Sequence, residues 1–295
     1  VTLSNRILLP VKAPFRLDLT ADALRRLAAN VVDVVDAEGT YHRAFSDGKK
    51  VTVVSVKQTP KGAVELSANG GGASQWAPVV ARMLGTQADL RPWYERSAKI
   101  PWLHRLAVAF QGVKPPRYAT LWEACAHAIV FQQISIHAAG SIMRRAILTL
   151  GKAVESGGVA CVAFPPPERW LSADEEHLRA AGLSRNKVAH LRSVAAAFAA
   201  GAIDERALEK LSTPEAAEAL RGVRGIGPWS AAVILLRGMG RLDTFPLRDS
   251  GVARSLTLLA GEPVDLDFVL ETLGPARGML YYHLLLGRVR NQLLN

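Results

Sequence analysis

The sequence predicts an α+β chain in which a small antiparallel sheet comes first and a mainly helical remainder follows. Short β-branched runs separated by turn residues fill residues 5–68. From Gln75 onward, apolar residues recur at helical spacing almost to the end. Between the two patterns stands Gly70-Gly71-Gly72, a loose connection that marks a boundary. A chain of 295 residues can hold two cores, so the expected domains are residues 1–70 and 71–295.

Taken in order, residues 6–12 read as a strand and 20–30 as a helix, with Asp22 near its start and Leu24, Leu27 and Ala28 on one face. Residues 31–35, 41–45, 51–57 and 62–66 supply further strands, punctuated by Ala37-Glu38-Gly39, Ser46-Asp47-Gly48 and Thr59-Pro60-Lys61-Gly62. His42 stands alone there among scattered acidic residues, so nothing in this segment suggests catalysis. Helices are expected over 76–84, 92–97, 102–110, 121–131 and 137–150. A loop at Ser156-Gly157-Gly158 and the turn Phe164-Pro165-Pro166-Pro167 precede helices over 172–181, 186–200 and 204–211.

Charge narrows the class of partner. The formal net charge is +10 and the isoelectric point near 9.9, which favours a polyanion such as nucleic acid. A membrane surface remains an alternative on charge alone. Cys125 and Cys161 are the only cysteines, too few for a disulfide framework and without metal-ligand spacing. No apolar leader and no run of membrane-spanning length is visible. The expectation is a soluble protein of a reducing, cytoplasmic compartment, with no metal and no membrane partner.

One stretch, residues 220–256, carries the chemistry. A helix closes at 216–220, the tight turn Val223-Arg224-Gly225-Ile226-Gly227 follows, and Pro228 opens an apolar helix over 229–237. The two glycines permit positive φ angles and close backbone approach. The N–H groups of Gly225, Gly227, Trp229 and Ser230 would then point outward from a helix N-terminus beside Arg224, an arrangement suited to one backbone phosphate. A Gly-x-Gly connector alone is also a common turn. Here it continues into Gly238-Met239-Gly240, then the segment from Asp243 to Val252 and a helix carrying Arg254.

That order, a hairpin, a Gly/Pro loop and a trailing aspartate before a helix, resembles the helix-hairpin-helix DNA glycosylase superfamily. Residues 121–135 (LWEACAHAIVFQQIS) and 164–187 are similar to its 3-methyladenine DNA glycosylase II (AlkA-like) branch, which also carries an α+β domain ahead of the helical core. The resemblance covers nearly the whole chain and is most specific over 220–256. It implies a mainly helical helix-hairpin-helix glycosylase core preceded by the small antiparallel-sheet domain. Relatives with an iron–sulfur cluster need four spaced cysteines after the hairpin, and none stands there. Bifunctional relatives carry a lysine just after the hairpin; Trp229 occupies that position and offers no amine for a Schiff base.

The resemblance implies a monomeric, monofunctional hydrolase acting on double-stranded DNA that contains damaged bases, with alkylated purines as substrates. Asp249 maps onto the catalytic aspartate; capping of the next helix is the plainer role for the same residue. Asp243 is the rival carboxylate. Gln133 falls at the plug that fills the stack after base flipping, with Gln132 beside it in the base pocket; both could instead cap backbone groups. Trp229 is a pocket wall. The family's further aromatics fall here at Val233 and about Ala276, neither aromatic, so Tyr281 and Tyr282 are the compensating candidates. No cofactor is implied beyond a monovalent cation at the hairpin carbonyls. A glycosylase for deaminated bases, or a non-catalytic DNA-binding protein that kept the hairpin, are the other readings.

Overall fold

In the computed structural model, residues 6–291 are described, other than 49, 71 and 262. Gly71, the centre of the expected boundary, therefore lies outside the described residues. Strand β1 (Arg6–Leu9) leads into α1 (Leu17–Arg25), and β2 (Asp33–Val35), β3 (Tyr41–Ser46), β4 (Val51–Gln58) and β5 (Val64–Ala68) follow. They form one antiparallel sheet in the order β1-β5-β4-β3-β2. The alternation along β5 sets its register: Val64, Leu66 and Ala68 turn inward while Glu65 and Ser67 face the other way.

The expected helix over 20–30 is shorter and begins earlier, because Arg26 takes a left-handed φ of 62° and ends α1. Its buried residues include Leu17, Leu19, Ala21, Ala23 and Leu24, so α1 is wedged between the sheet and the helices rather than lying on the surface.

The helical part begins with α2 (Ala73–Met83), α3 (Arg91–Ser97) and α4 (Pro101–Ala109). Helix α5 (Leu121–Val130) is buried along its whole length, capped by Thr120, whose hydroxyl accepts from Glu123 N. Next come α6 (Ile136–Leu150), α7 (Pro167–Ser172), α8 (Glu175–Ala180), α9 (Arg185–Ala199), α10 (Glu205–Glu209) and α11 (Thr213–Arg221). Helix α12 (Pro228–Ile234) runs on as a π-helical turn, Leu235–Met239, that stops at Gly240 with φ 72°. Helices α13 (Ser250–Ala260), α14 (Leu266–Leu273) and α15 (Gly278–Asn291) complete the described chain. No helix among the described residues is long and apolar enough to cross a membrane.

Three local expectations are corrected. The loop at 156–158 is the turn of a hairpin, β6 (Lys152–Ser156) with β7 (Val159–Ala163), closed by Gly157 and Gly158 at φ 59° and 79°. That is the geometry a two-residue hairpin turn demands. The helix expected over 172–181 begins only at Glu175 as α8, where the Asp174 carboxylate accepts from Glu176 N to cap it, and α7 precedes it as a separate helix that was not anticipated. Helix α14 was not anticipated, although Asp265 caps it through Phe268 N.

Two apolar clusters organise the molecule. One joins the inner sheet face to α5, α9 and α12; the other joins α3, α4, α13, α14 and α15. Sheet and helices also meet through buried charge. Arg43 on β3 donates to Asp33 on β2 at 2.6 Å and to Glu123 on α5 at 2.5 Å, and the Tyr41 hydroxyl donates to Asp33 at 2.7 Å. Each of these side chains is almost fully buried. The pairing offsets the desolvation of these charges and fixes how the sheet sits against α5.

Candidate active site

The hairpin between α11 and α12 is built by local rules. A capping box at Ser212 and Glu215 starts α11, Pro228 opens α12, and Gly227 stands at the N-cap of α12. Gly225 has φ 100°, and a Cβ there would lie 2.6 Å from the His190 Cβ on α9, so only glycine fits. Gly227 differs from the expectation of two positive φ angles: at φ −91° and ψ −179° it is extended and its surroundings are open. Arg224 projects into solvent beside the turn, whereas the Ser230 side chain is buried.

Asp249 is the N-cap of α13. One carboxylate oxygen accepts from Gly251 N at 2.8 Å and Val252 N at 3.1 Å. The other accepts from the Trp229 indole Nε1 at 3.0 Å. The capping role and the catalytic role expected from the sequence are thus compatible: the cap fixes the carboxylate's direction and the indole holds its free edge. Gly251 lets the Arg288 guanidinium approach this turn, since a Cβ would lie 2.1 Å from its Nη1. Asp243 is elsewhere, accepting from the Thr213 hydroxyl at 3.0 Å.

Between α5 and α6 the chain turns through residues 131–135. Gln133 sits exposed at the tip with φ 59°, an unusual angle for a side-chain-bearing residue. The turn is held from below by Lys187 on α9, whose ammonium donates to the carbonyls of Val130 at 2.6 Å and Gln132 at 3.0 Å. Partial burial lowers the pKa of this lysine. Gln132 donates from its amide nitrogen to Gly225 O at 2.9 Å and Ser230 Oγ at 2.8 Å, tying the turn to the hairpin. Its amide nitrogen is thereby committed to structure, although the residue still borders the cleft.

These pieces enclose a cleft of about 750 Å³ bordered by Phe131, Gln133, Trp229, Asp249 and Tyr281. The sequence-predicted residues Asp249, Trp229, Gln132, Gln133, Ser230, Gly227 and Tyr281 converge on it. Tyr282 does not. It is fully buried on an adjoining face of α15, donating to Pro116 O at 3.0 Å and Leu236 O at 3.3 Å, because adjacent helical residues point roughly 100° apart. Arg224 and Gly225 lie outside the cleft on the hairpin, and Val233 and Ala276 are buried away from it.

Two arginines were missed. Arg26, at the C-cap of α1, enters the cleft with its guanidinium 4.5 Å over the Phe131 ring and Nη2 donating to the Tyr281 hydroxyl at 3.2 Å. Arg237 on the π-helical turn is fully buried and donates to the carbonyls of Ala23 and Leu24, both at 3.0 Å. It thereby satisfies the last turn of α1 and positions Arg26. Neither residue has a motif. Nearby, His127 on α5 is kept neutral by burial and by the positive charges of Arg26, Arg237 and Arg43, which push its pKa well down. Among the described residues, no three histidine, cysteine or carboxylate side chains converge as a metal site.

A glycine hairpin ahead of an aspartate that caps the next helix, facing a turn raised between two helices, is a helix-hairpin-helix arrangement. The family model for the HhH-GPD superfamily of base excision DNA repair proteins matches residues 126–264, and over that stretch the chain is similar to the superfamily. The chain is similar to the DNA-3-methyladenine glycosylase of Bacillus subtilis, 29% identical over 58% of this chain and 56% of that one. It is similar also to the DNA-3-methyladenine glycosylase 2 of Escherichia coli, 25% identical over 74% and 77%. The solved 3-methyladenine DNA glycosylase of Archaeoglobus fulgidus superposes with a TM-score of 0.77 at 26% identity, covering 96% of this chain and 98% of that one. The chain spans about half the length of the first curated relatives that it matches.

Proposed function

We propose that this protein is a monofunctional DNA glycosylase of base excision repair, hydrolysing the N-glycosidic bond of alkylated purines in duplex DNA and leaving an abasic site. The observation that carries the reading is the fixed carboxylate of Asp249, held by two helix amides and an indole inside a cleft large enough for a flipped base.

As the bond to the base breaks, positive charge builds on the sugar. A carboxylate already oriented there stabilises that charge without reorganising, and its outer oxygen can accept a proton from the attacking water. Water is the nucleophile, because no lysine borders the cleft and Trp229 stands where an amine would be needed. Phosphates on either side of the flipped nucleotide would be held by the hairpin amides with Arg224, and by Arg248 and Arg254 at the cleft edge. Gln133, presented at the tip of its turn, would occupy the space that the base leaves. The names of the relatives support the alkylated-purine class, and a single chain presents every element of the site, which favours a monomer.

The test is a duplex carrying one 1,N6-ethenoadenine, with the products resolved before and after hot alkali and compared with the duplex incubated without protein. Strand breaks confined to the alkali-treated sample are expected. Breaks without alkali would mean a lyase, and tight binding without any base release would mean a DNA-binding protein only.

A further inference from the structure

Arg26 lines the same cleft as Asp249 and brings a buried positive charge to it. Only 5% of the residue is exposed, and Nε is buried without a partner. No carboxylate meets the guanidinium among the described residues; its recorded contacts are the Tyr281 hydroxyl and the face of Phe131. The cleft as a whole is bordered by four arginines, Arg26, Arg248, Arg254 and Arg288, and by one carboxylate, Asp249. Arg248 and Arg254 are exposed and free to reach phosphates, whereas Arg26 comes from the sheet-bearing segment and is held inside by Arg237 at the end of α1.

This placement has two consequences for a bound base. A guanidinium is a donor only and stays protonated, so it rewards a base edge that presents an acceptor nitrogen or carbonyl. A purine quaternised by methylation carries positive charge and is repelled at short range in a site of low dielectric. The usual attraction of such a cation is an electron-rich ring face. Here one face of Phe131 is already covered by Arg26 at 4.5 Å.

We propose that Arg26 is a specificity-determining residue that selects neutral damaged purines with an acceptor edge, such as 1,N6-ethenoadenine or hypoxanthine, over cationic ones such as 7-methylguanine. The proposal rests on the glycosylase reading above; it narrows the alkylated purines to uncharged ones and admits hypoxanthine, a deaminated purine, beside them. A charge-assisted hydrogen bond present in one substrate and replaced by repulsion in the other is worth on the order of tenfold or more in relative rate.

The experiment measures single-turnover base release from duplexes carrying ethenoadenine, hypoxanthine or 7-methylguanine, for the full chain and for Arg26→Met and Arg26→Gln, each checked by thermal melting. Comparing variants with the parent cancels the greater intrinsic lability of cationic bases. In Arg26→Met, release of the neutral bases should fall at least tenfold while 7-methylguanine release holds or rises. Arg26→Gln keeps a donor and removes the charge, so it should raise 7-methylguanine release and spare the neutral bases more; it decides the matter if the Met variant melts early. An equal fall for all three bases, or no change in either variant, overturns the proposal. If the parent protein releases no base at all, the glycosylase reading itself fails, an outcome distinct from unaltered selectivity.

Discussion

At the residue scale, the site turns on a bond between two side chains twenty positions apart. Trp229 was expected as a wall for the base, and it also donates to Asp249 at 3.0 Å. The indole therefore sets which carboxylate oxygen faces the cleft, a positioning role that stands apart from the wall expected of it. Trp229→Phe keeps an aromatic wall and removes the donor. The expected result is about a tenfold loss in single-turnover rate, equivalent to roughly 1.4 kcal/mol, with DNA affinity little changed. A matching loss of affinity for duplex containing an abasic site would instead assign Trp229 to binding alone. Asp249 and the hairpin glycines were legible in the sequence because their roles depend on local order: a turn, a proline, a cap. Arg26 was not legible. Its place depends on α1 ending in a left-handed residue, and the apolar spacing of Leu24, Leu27 and Ala28 gave no sign of that break.

At the scale of elements, the π-helical turn after α12 links the hairpin to α1. It carries Arg237 into the interior, where the guanidinium caps Ala23 and Leu24 and lies 4.7 Å over the Tyr118 ring. Removing the guanidinium strands two buried carbonyls. Arg237→Met should cost about 2–4 kcal/mol in urea denaturation and should loosen Arg26 as well. A change below about 0.5 kcal/mol would show that water or neighbouring groups satisfy those carbonyls equally well. The β6–β7 hairpin teaches a different lesson. Its Gly157-Gly158 turn was visible, but Lys152, Ala153 and Glu155 are exposed and β6 shows no clear hydrophobic alternation. Its partner β7 is fixed by packing on the sheet, with Val162 N donating to Val31 O at 2.8 Å, a contact between distant parts of the chain.

At the scale of the whole molecule, the order of sheet then helices was readable from periodicity, but the sharing of one core between them was not. Long-range burial decides it, above all the Arg43 pairs and the insertion of α1. Burial also predicts how stability depends on pH. His283 on α15 is fully buried against Trp93, which pushes its pKa down to about 4. The unfolded chain protonates this imidazole near 6.5, so stability is full above that value and falls as pH drops from there toward 4. At pH 5 the loss attributable to His283 is about 2 kcal/mol, and His127 adds to it in the same direction. His283→Phe should flatten the slope of unfolding free energy between pH 7 and 5; an unchanged slope would place the effect in other groups.

The most direct measurement of the central claim is single-turnover base release by Asp249→Asn beside the parent protein, on the same ethenoadenine duplex. Asparagine retains the one oxygen that caps α13 and gives up only the acceptor facing Trp229, so melting temperature and DNA affinity should change little. The negative charge is lost, and with it the stabilisation of the charged sugar; base release should drop by a factor on the order of a hundred to a thousand. Release at the parent rate by a folded, DNA-binding Asp249→Asn protein would contradict the account and leave Asp249 as a helix cap alone.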